Sequence, residues 1–391
     1  MKPIKLILFF LLLVPFLVNA QMITGEERTE IYIPKLINQR VAICGNQTSK
    51  IGSIHLVDTL WNLKINIVKI FAPEHGFRGD AEAGAHIENG KDSKTGIPIV
   101  SLYGNNKKPT KEQMQNIDII IFDIQDVGCR FYTYISTLHY IMESAAENHV
   151  KVIVLDRPNP NGYFIDGPVL EEKYKSFIGM HPIPVVHGMT IGEYAQMING
   201  EKWLKDSLSC DLEVITMINY DHKMRYSIPY PPSPNLKTDE SIYLYPTLCF
   251  FEGTNVSLGR GTEIPFQVYG SPLFTGGDYY FTPQPIKGVS ENPPLKGEKC
   301  RGYNLTNFAS QNMHKSNRIE ISFLLQAYAL YPDSSTFFLK NLFFDKLAGN
   351  STLRWQIIKG KSEQEIRKSW EKGIAQFKTI RKKYLLYPDF E

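Results

Sequence analysis

Polar side chains that could bind or cleave a polar ligand follow short apolar segments in the first half of the chain. They lie in five turns, namely 45–48 (GNQT), 73–79 (PEHGFRG), 101–104 (SLYG), 125–130 (QDVGCR) and 156–160 (DRPNP). Glycine or proline punctuates each turn, and these residues alone explain a tight change of direction. They do not explain why the other residues are Glu, His, Arg, Tyr, Gln and Asp, which serve acid–base catalysis and ligand recognition. The five turns together indicate one active site.

Glu74 is the candidate general acid of this site. It follows an apolar segment directly and lies between Pro73 and His75. Partial desolvation there would favour the protonated carboxyl group that a general acid needs. The alternative for Glu74 is a structural salt bridge to Arg78 in the same turn. Asp126 is the candidate for activating water, with a helix cap as its alternative, and His75 completes the predicted catalytic set.

Metal-dependent or nucleophilic chemistry is the competing interpretation. Potential metal ligands are Glu74, His75, His86, Asp123, Asp126 and His187. They show neither HxH nor HExxH spacing, and no GxSxG motif is present. The five cysteines are Cys44, Cys129, Cys210, Cys249 and Cys300. They are odd in number and contain no CxxC pair, so we expect buried thiols with at most one disulfide, and no metal.

The segments between the turns predict the elements that must position these residues. Apolar strands are predicted over 40–44, 66–72, 98–102, 118–124 and 151–155, with helices over 55–63, 109–116 and 131–145. Strands that alternate with helices predict a parallel sheet covered on both faces, so the five turns lie at one edge of it. The fold class is therefore α/β with a Rossmann-like parallel sheet. Because no GxGxxG follows the first strand, we predict no dinucleotide cofactor.

The second half of the chain predicts a smaller α+β domain over 181–391, which follows a catalytic domain over 21–180. A capping box at Thr190 and Glu193 opens one helix, and helical spacing returns over 322–330 and 363–384. Polar side chains among the loops of this half are His187, Asn235, Glu252 and Arg260. They predict a second wall of the cleft, with ordinary turns at a domain interface as the alternative.

The first 20 residues have the pattern of a secretory signal peptide. Lys2 and Lys5 precede the apolar run 6–18, and a small residue, Ala20, ends the segment. A membrane anchor is the alternative, but a run of about 13 residues is shorter than the roughly 20 needed to span a bilayer. We therefore expect an exported protein, periplasmic or secreted, with no stable membrane insertion. A net charge of +3 gives no reason to expect nucleic acid as a partner.

Taken in order, the polar motifs resemble those of one family. They are PEHGFRG at 73–79, SLYG at 101–104, FDIQDVGCRFYTY at 122–134, LDRPNP at 155–160, HGMTIGE at 187–193, SPN at 233–235, EGTN at 252–255, GRGT at 259–262 and FDKLAGN at 344–350. Over nearly its whole mature length the chain is similar to the exo-β-N-acetylmuramidases of the NamZ type. One departure is Cys129, where a small hydroxyl residue is expected.

The resemblance implies release of N-acetylmuramic acid from the non-reducing end of peptidoglycan fragments. It also implies a Rossmann-like catalytic domain, a smaller C-terminal domain and a cleft between them. The glutamate of the PEHG motif, Glu74, is the implied catalytic residue. Two alternatives stay open, a non-catalytic protein that binds muropeptides or sugars, and a metal-dependent hydrolase that uses Glu74, His75 and Asp126.

The implied substrate assigns roles to the other polar residues of the turns. N-acetylmuramic acid carries a lactyl carboxylate, whose selection calls for a cation, ideally a guanidinium. The candidate cations are Arg78, Arg130, Arg157 and Arg260. Candidates for stacking on the sugar ring are Tyr103, Phe131 and Tyr132, and candidates for binding hydroxyls or the acetamide are Asn46, Gln125 and Asn159. Either Asp126 or the substrate's own acetamide would complete the reaction begun by Glu74.

Overall fold

The computed structural model describes residues 21–78 and 90–391. The predicted signal peptide, Gly79 and His86 lie outside the described residues. Within them the strands are Val41–Gly45 (β1), Lys50–Ile51 (β2), Ile54–His55 (β3), Ile67–Ala72 (β4), Gly90–Lys91 (β5), Pro98–Ser101 (β6), Ile119–Asp123 (β7), Lys151–Leu155 (β8), Leu212–Ile215 (β9), Val268–Ser271 (β10), Tyr279–Phe281 (β11) and Cys300–Asn304 (β12).

The helices alternate with the strands in the first half and dominate the second. In the described residues they are Thr29–Leu36 (α1), Leu56–Asn62 (α2), Lys111–Met114 (α3), Tyr134–Glu147 (α4), Ile191–Gly200 (α5), Asp239–Leu248 (α6), Thr306–Asn312 (α7), Ser322–Leu330 (α8), Phe343–Ala348 (α9), Thr352–Ile358 (α10) and Glu363–Arg381 (α11). No helix in this part of the chain is both long enough and apolar enough to cross a membrane.

A seven-stranded sheet organises the first half, with the order β5-β6-β4-β1-β7-β8-β9. Among the described strands of this sheet, the edge strand β5 is antiparallel to its neighbour and the other pairings are parallel. Ranked by their order in the chain, the parallel strands therefore run 3-2-1-4-5-6, the doubly wound order of Rossmann-like folds. The predicted fold class is confirmed.

The strands are apolar on both faces because helices cover both sides of the sheet. Along β1, Val41 and Ile43 join one core, which α1 and α2 complete, while Ala42 and Cys44 join the other. The second core is the larger, and it continues through α4 and α5 into the C-terminal half. Alternate residues of each central strand thus enter different cores, which is why the sequences of these strands are unbroken apolar runs.

The sheet domain extends beyond the boundary predicted near residue 180. Strand β9 (Leu212–Ile215) pairs in parallel with β8, so the sheet ends only at residue 215. The sequence does not reveal β9 because it is a half-exposed edge strand with a charged residue in it. Glu213 in this strand forms salt bridges of 3.1 Å with Lys35 and 2.7 Å with Lys151.

The C-terminal half combines the helices α6–α11 with a small antiparallel sheet of order β10-β12-β11. The predicted α+β character is present, and α8 and α11 begin at the residues predicted for them. The three strands are short and two contain glycine, so their sequences lack the alternation of polar and apolar residues that would predict them. All five cysteines are among the described residues, and each is a buried free thiol, as predicted.

Candidate active site

A cavity of about 870 Å³ opens at the carboxyl edge of the parallel sheet, a volume typical of small-molecule sites. One wall comes from the sheet domain, where Glu74 follows β4, Tyr103 and Lys107 follow β6, and Thr133 precedes α4. The opposite wall comes from the C-terminal half and includes residues 251–260. The two halves of the chain therefore enclose one space.

A smaller recess of about 120 Å³ shares Glu74, Thr133, Ile178, Glu252 and Arg260 with the cavity. Its other lining residues are His75, Phe131, Tyr132, Tyr134, Ser233, Asn235, Leu236, Tyr245 and Phe266. The amide nitrogen of Asn235 donates to the carbonyl of Val289 at 3.0 Å, and its buried Oδ1 has no hydrogen-bond partner in the described residues. Because an unpaired buried oxygen is unfavourable, the recess favours a ligand that carries a donor.

Glu74 lies at the junction of the two spaces and is half-buried. The hydroxyl of Thr133 donates a 2.9 Å hydrogen bond to its Oε2. The turn around Glu74 is closed by a 3.0 Å bond from Gly76 N to the Pro73 carbonyl, and His75 has a φ of +71°. A left-handed conformation at a non-glycine residue is unfavourable, and such residues concentrate at functional sites. The turn thus directs the carboxyl group into the cavity.

Arg78 does not form the salt bridge to Glu74 that was the alternative for this turn. Its guanidinium contacts Asp92 at 2.8 Å and Asp58 at 3.2 Å. These two buried carboxylates hold it in a separate surface depression, which Lys94 also lines. The position of Arg78 therefore does not support its predicted contact with substrate, and Glu74 has no cationic partner in the described residues.

Asp126, the second predicted catalytic residue, is buried and lines neither space. Its Oδ2 accepts a 2.6 Å hydrogen bond from Gly128 N, while Oδ1 has no partner in the part of the chain described. It does not cap α4, which begins at Tyr134. Gly128 has a φ of +72°, and a Cβ there would lie 2.1 Å from the side chain of Asn159. Asp126 therefore stabilises a tight turn, and its position does not support a role in activating water.

We predict that Asp126→Asn keeps activity and changes how stability depends on pH. Burial raises the pKa of Asp126 from 3.8 to about 7, so between these values the folded state binds more protons than the unfolded state. The contribution of Asp126 to the free energy of unfolding is fully present below pH 4. It is lost as the pH rises toward 7, by up to about 1.4 kcal/mol per pH unit. Urea unfolding of both proteins from pH 4 to 8 should show a smaller loss in Asp126→Asn.

The same variant tests the catalytic assignment. Activity should stay within about tenfold of the parent protein, whereas removal of a general base typically lowers the rate by about 10²- to 10⁴-fold. A loss in that larger range, with the fold intact, would return Asp126 to the catalytic set. Parallel pH slopes for the two proteins would contradict the buried, protonated carboxyl group.

Two of the four predicted substrate-binding arginines are structural. The guanidinium of Arg130 is fully buried and donates to the carbonyls of Pro168 (2.7 Å), Ile183 (2.6 Å) and Leu347 (2.8 Å). Arg157 is buried between Asp123, at 2.6 Å, and Glu26, at 3.1 Å. Both guanidinium groups are bound by carbonyl or carboxylate groups from distant parts of the chain. These positions do not support contacts with substrate.

The predicted polar residues Asn46, Gln125, Asn159 and His187 are buried and do not line the cavity or the recess. Gln125 Nε2 donates to the Pro158 carbonyl at 2.7 Å, and Asn159 Nδ2 to the Met189 carbonyl at 2.8 Å. Asn46 Oδ1 accepts a 2.9 Å bond from Thr48 N. Burial lowers the pKa of His187 to about 3, so its ring is neutral. The three amide side chains therefore stabilise turns at the carboxyl edge of the sheet, whereas neither ring nitrogen of His187 has a hydrogen-bond partner in the described residues.

The crevice between β1 and β7, where doubly wound folds commonly bind ligands, is covered by the chain itself. Gln47 Nε2 donates to the carbonyls of Pro231 (3.1 Å) and Pro232 (3.0 Å), and the hydroxyl of Tyr134 donates to Pro232 at 3.1 Å. The proline-rich segment thus lies over the sheet edge at this point. The open cavity is displaced toward the ends of β4 and β6 as a result.

The structure brings together eight of the residues predicted from the sequence. They are Glu74, His75, Tyr103, Phe131, Tyr132, Asn235, Glu252 and Arg260. Arg260 contacts Glu252 at 2.7 Å, so the second wall carries an ion pair, and Phe266 lies 5.0 Å below the guanidinium. Sequence reasoning missed Lys107, Thr133 and Phe177, which also line the cavity. Lys107 lies in the stretch NNKKP, which reads as an ordinary solvated loop.

The potential metal ligands among the described residues do not converge on one point. Within residues 21–78 and 90–391, no group of three or more His, Cys, Asp or Glu side chains has an arrangement that could hold a metal ion. His86, one of the candidate ligands, lies outside these ranges.

Comparison with known proteins places the chain in one family. The family models described as Exo-beta-N-acetylmuramidase NamZ, N-terminal and C-terminal, match residues 41–240 and 243–387. The Peptidoglycan beta-N-acetylmuramidase NamZ of Bacillus subtilis (strain 168) is 41% identical over 373 residues, which cover 91% of this chain and 89% of the relative.

Two crystal structures of DUF1343 family proteins from Bacteroides fragilis NCTC 9343 have the same fold. The first is 48% identical with a TM-score of 0.87, covering 95% of this chain and 100% of that one. The second is 32% identical with a TM-score of 0.79, covering 94% and 99%. The two family models meet near residue 240, after the last strand of the parallel sheet.

Proposed function

Since the chain belongs to the exo-β-N-acetylmuramidase NamZ family, we propose that it is a glycoside hydrolase of peptidoglycan. It releases N-acetylmuramic acid from the non-reducing ends of peptidoglycan fragments. The observation that carries the proposal for this chain is the position of Glu74. A hydrogen-bonded carboxyl group lies at the junction of a recess and a larger cavity, where the bond between two sugars would be cleaved.

Glu74 acts as the general acid in this proposal. Thr133 donates to Oε2, and Oε1 has no hydrogen-bond partner in the described residues, so Oε1 can reach the glycosidic oxygen. Transfer of its proton to that oxygen neutralises the charge that develops on the departing sugar. Thr133 is a positioning residue, because its hydrogen bond fixes the rotation of the carboxyl group.

Glu252 takes the place of Asp126 as the second carboxylate. It lines both spaces with Glu74, and its Oε1 accepts both guanidinium hydrogen bonds from Arg260, at 2.9 and 2.7 Å. The Glu252 carboxylate can accept a proton from water or orient the acetamide of the substrate. The anomeric configuration of the first product distinguishes these routes, since direct attack by water inverts and acetamide participation retains.

Export is part of the proposal and rests on the sequence pattern of residues 1–20. A basic start, an apolar run and a small residue before Gln21 fit secretion and cleavage. The substrate would then be met outside the cytoplasm, in the periplasm or beyond it. Mass spectrometry of the protein from its native host should give a mature chain that begins near Gln21, and an intact Met1 would contradict cleavage.

The proposed activity is tested by incubating the purified protein with a chromogenic β-glycoside of N-acetylmuramic acid, with and without a chelator. We expect colour release that the chelator leaves unchanged. Binding of the sugar without release would favour the non-catalytic alternative. Loss of activity on chelation, restored by added metal, would favour the metal-dependent hydrolase.

A further inference from the structure

The walls of the cavity and recess contain two Lys or Arg side chains in the described residues, Lys107 and Arg260. Arg260 donates through Nε and Nη2 to Glu252, so this pair carries no net charge. A carboxylate that approaches Arg260 also meets the Glu252 carboxylate at a similar distance. Attraction and repulsion therefore largely cancel on this side of the cavity.

Lys107 is in a different electrostatic situation. It is half-buried, and it has no carboxylate within 4.0 Å in the parts of the chain that the structure describes. Its Nζ lies over an aromatic face, 4.6 Å from the centroid of the Phe177 ring. An ammonium group that is partly desolvated and unpaired favours an anionic ligand in the cavity.

The aromatic platform under Lys107 is itself fixed to the sheet domain. The backbone carbonyl of Phe177 accepts a 2.6 Å hydrogen bond from Ser136 Oγ on α4. Its ring stacks on Tyr140 of the same helix at 6.2 Å with an interplanar angle of 11°. A cation held over a fixed ring loses less conformational freedom when a ligand binds than a lysine in a mobile loop would.

We infer that Lys107 forms the carboxylate subsite of the cavity and selects sugars that carry a lactyl group. This inference rests on the proposed function, because it assigns a recognition element within the same active site. It replaces the guanidinium recognition predicted from sequence. Arg130 and Arg157 are buried among protein partners, Arg78 lies outside the cavity, and Arg260 is already paired.

The experiment compares three β-glycosides with the same nitrophenyl leaving group. Their sugars are N-acetylmuramic acid, its lactyl amide, which is neutral, and N-acetylglucosamine. We expect Lys107→Met to lower kcat/KM for the acid by roughly 10- to 100-fold. A loss of this size corresponds to the removal of one charge-assisted hydrogen bond. The same variant should cleave the two neutral glycosides at nearly the parent rate, and Lys107→Arg should keep most of the preference for the acid.

Lys108 provides a matched control, because it is the next residue in the chain but contacts Glu143 at 2.7 Å and Glu147 at 2.8 Å. Lys108→Met should keep the preference for the acid. An unchanged ratio of acid to amide in Lys107→Met would overturn the assignment of Lys107. If the parent protein cleaves none of the three glycosides, the proposed function itself fails, so the two failures are distinguishable.

Discussion

Glu74→Gln should lower kcat/KM for an N-acetylmuramic acid glycoside with a poor leaving group by about 10²- to 10⁴-fold. Glutamine keeps the size of the side chain and can still accept the hydrogen bond from Thr133 Oγ1, which is 2.9 Å from Oε2 in the parent protein. It cannot donate a carboxyl proton to the departing sugar. The fold should be retained, since the residue is half-buried and forms no ion pair in the described residues.

The dependence on the leaving group separates proton donation from other roles. A natural sugar leaving group needs a proton as the bond breaks, because its alkoxide is strongly basic, but a dinitrophenolate is stable without one. The rate loss in Glu74→Gln should therefore be much smaller for the dinitrophenyl glycoside. Glu112→Gln, at an exposed position on α3, is the control for the substitution and should leave both rates unchanged.

Two results would contradict this assignment. Retention of more than about a tenth of the parent rate on the poor leaving group would remove Glu74 from the general-acid role. An equally large loss on both leaving groups would indicate instead that the residue binds substrate or acts as a nucleophile. Circular dichroism and thermal unfolding of each variant establish that the comparison is between folded proteins.

Arg157→Met should destabilise the fold by about 3–5 kcal/mol, as expected when one partner of a buried ion pair is removed. The guanidinium joins Asp123, at the end of β7, to Glu26, in the segment before α1, with nitrogen–oxygen distances of 2.6 and 3.1 Å. Both carboxylates are buried and would lose their shared cation. Urea unfolding followed by fluorescence measures the loss.

Arg40→Met is the matched control for this prediction. Arg40 also pairs with an aspartate, Asp118, at 2.6 Å, but both side chains are partly exposed, at 46% and 31%. Solvent screens such a pair, so the unfolding midpoint should change little. Equal losses in the two variants would contradict the argument from burial. If Arg157→Met instead raised KM without loss of stability, Arg157 would be a substrate ligand, as predicted from the sequence.

The strands and helices of the sheet domain could be predicted because the residue pattern that indicates each one lies within its own short segment of sequence. Buried strands such as β7 (Ile119–Asp123) and β8 (Lys151–Leu155) are continuous apolar runs, and Thr190 and Glu193 form the predicted capping box of α5. The half-exposed edge strand β9 lacks such a run and was missed, which placed the predicted boundary inside the sheet domain.

The sequence by itself determined the α/β class, the parallel sheet and the turn that carries Glu74, because strand burial and chain direction follow from residue patterns. Only the tertiary structure decided which polar side chains face the cavity. Arg130 contacts the carbonyl of Leu347, and Glu252 pairs with Arg260 in the opposite wall, while Lys107 has no such acidic partner in the described residues. The orientation of a charged side chain depends on whether a partner distant in sequence neutralises it, and that partner cannot be read from the turn alone.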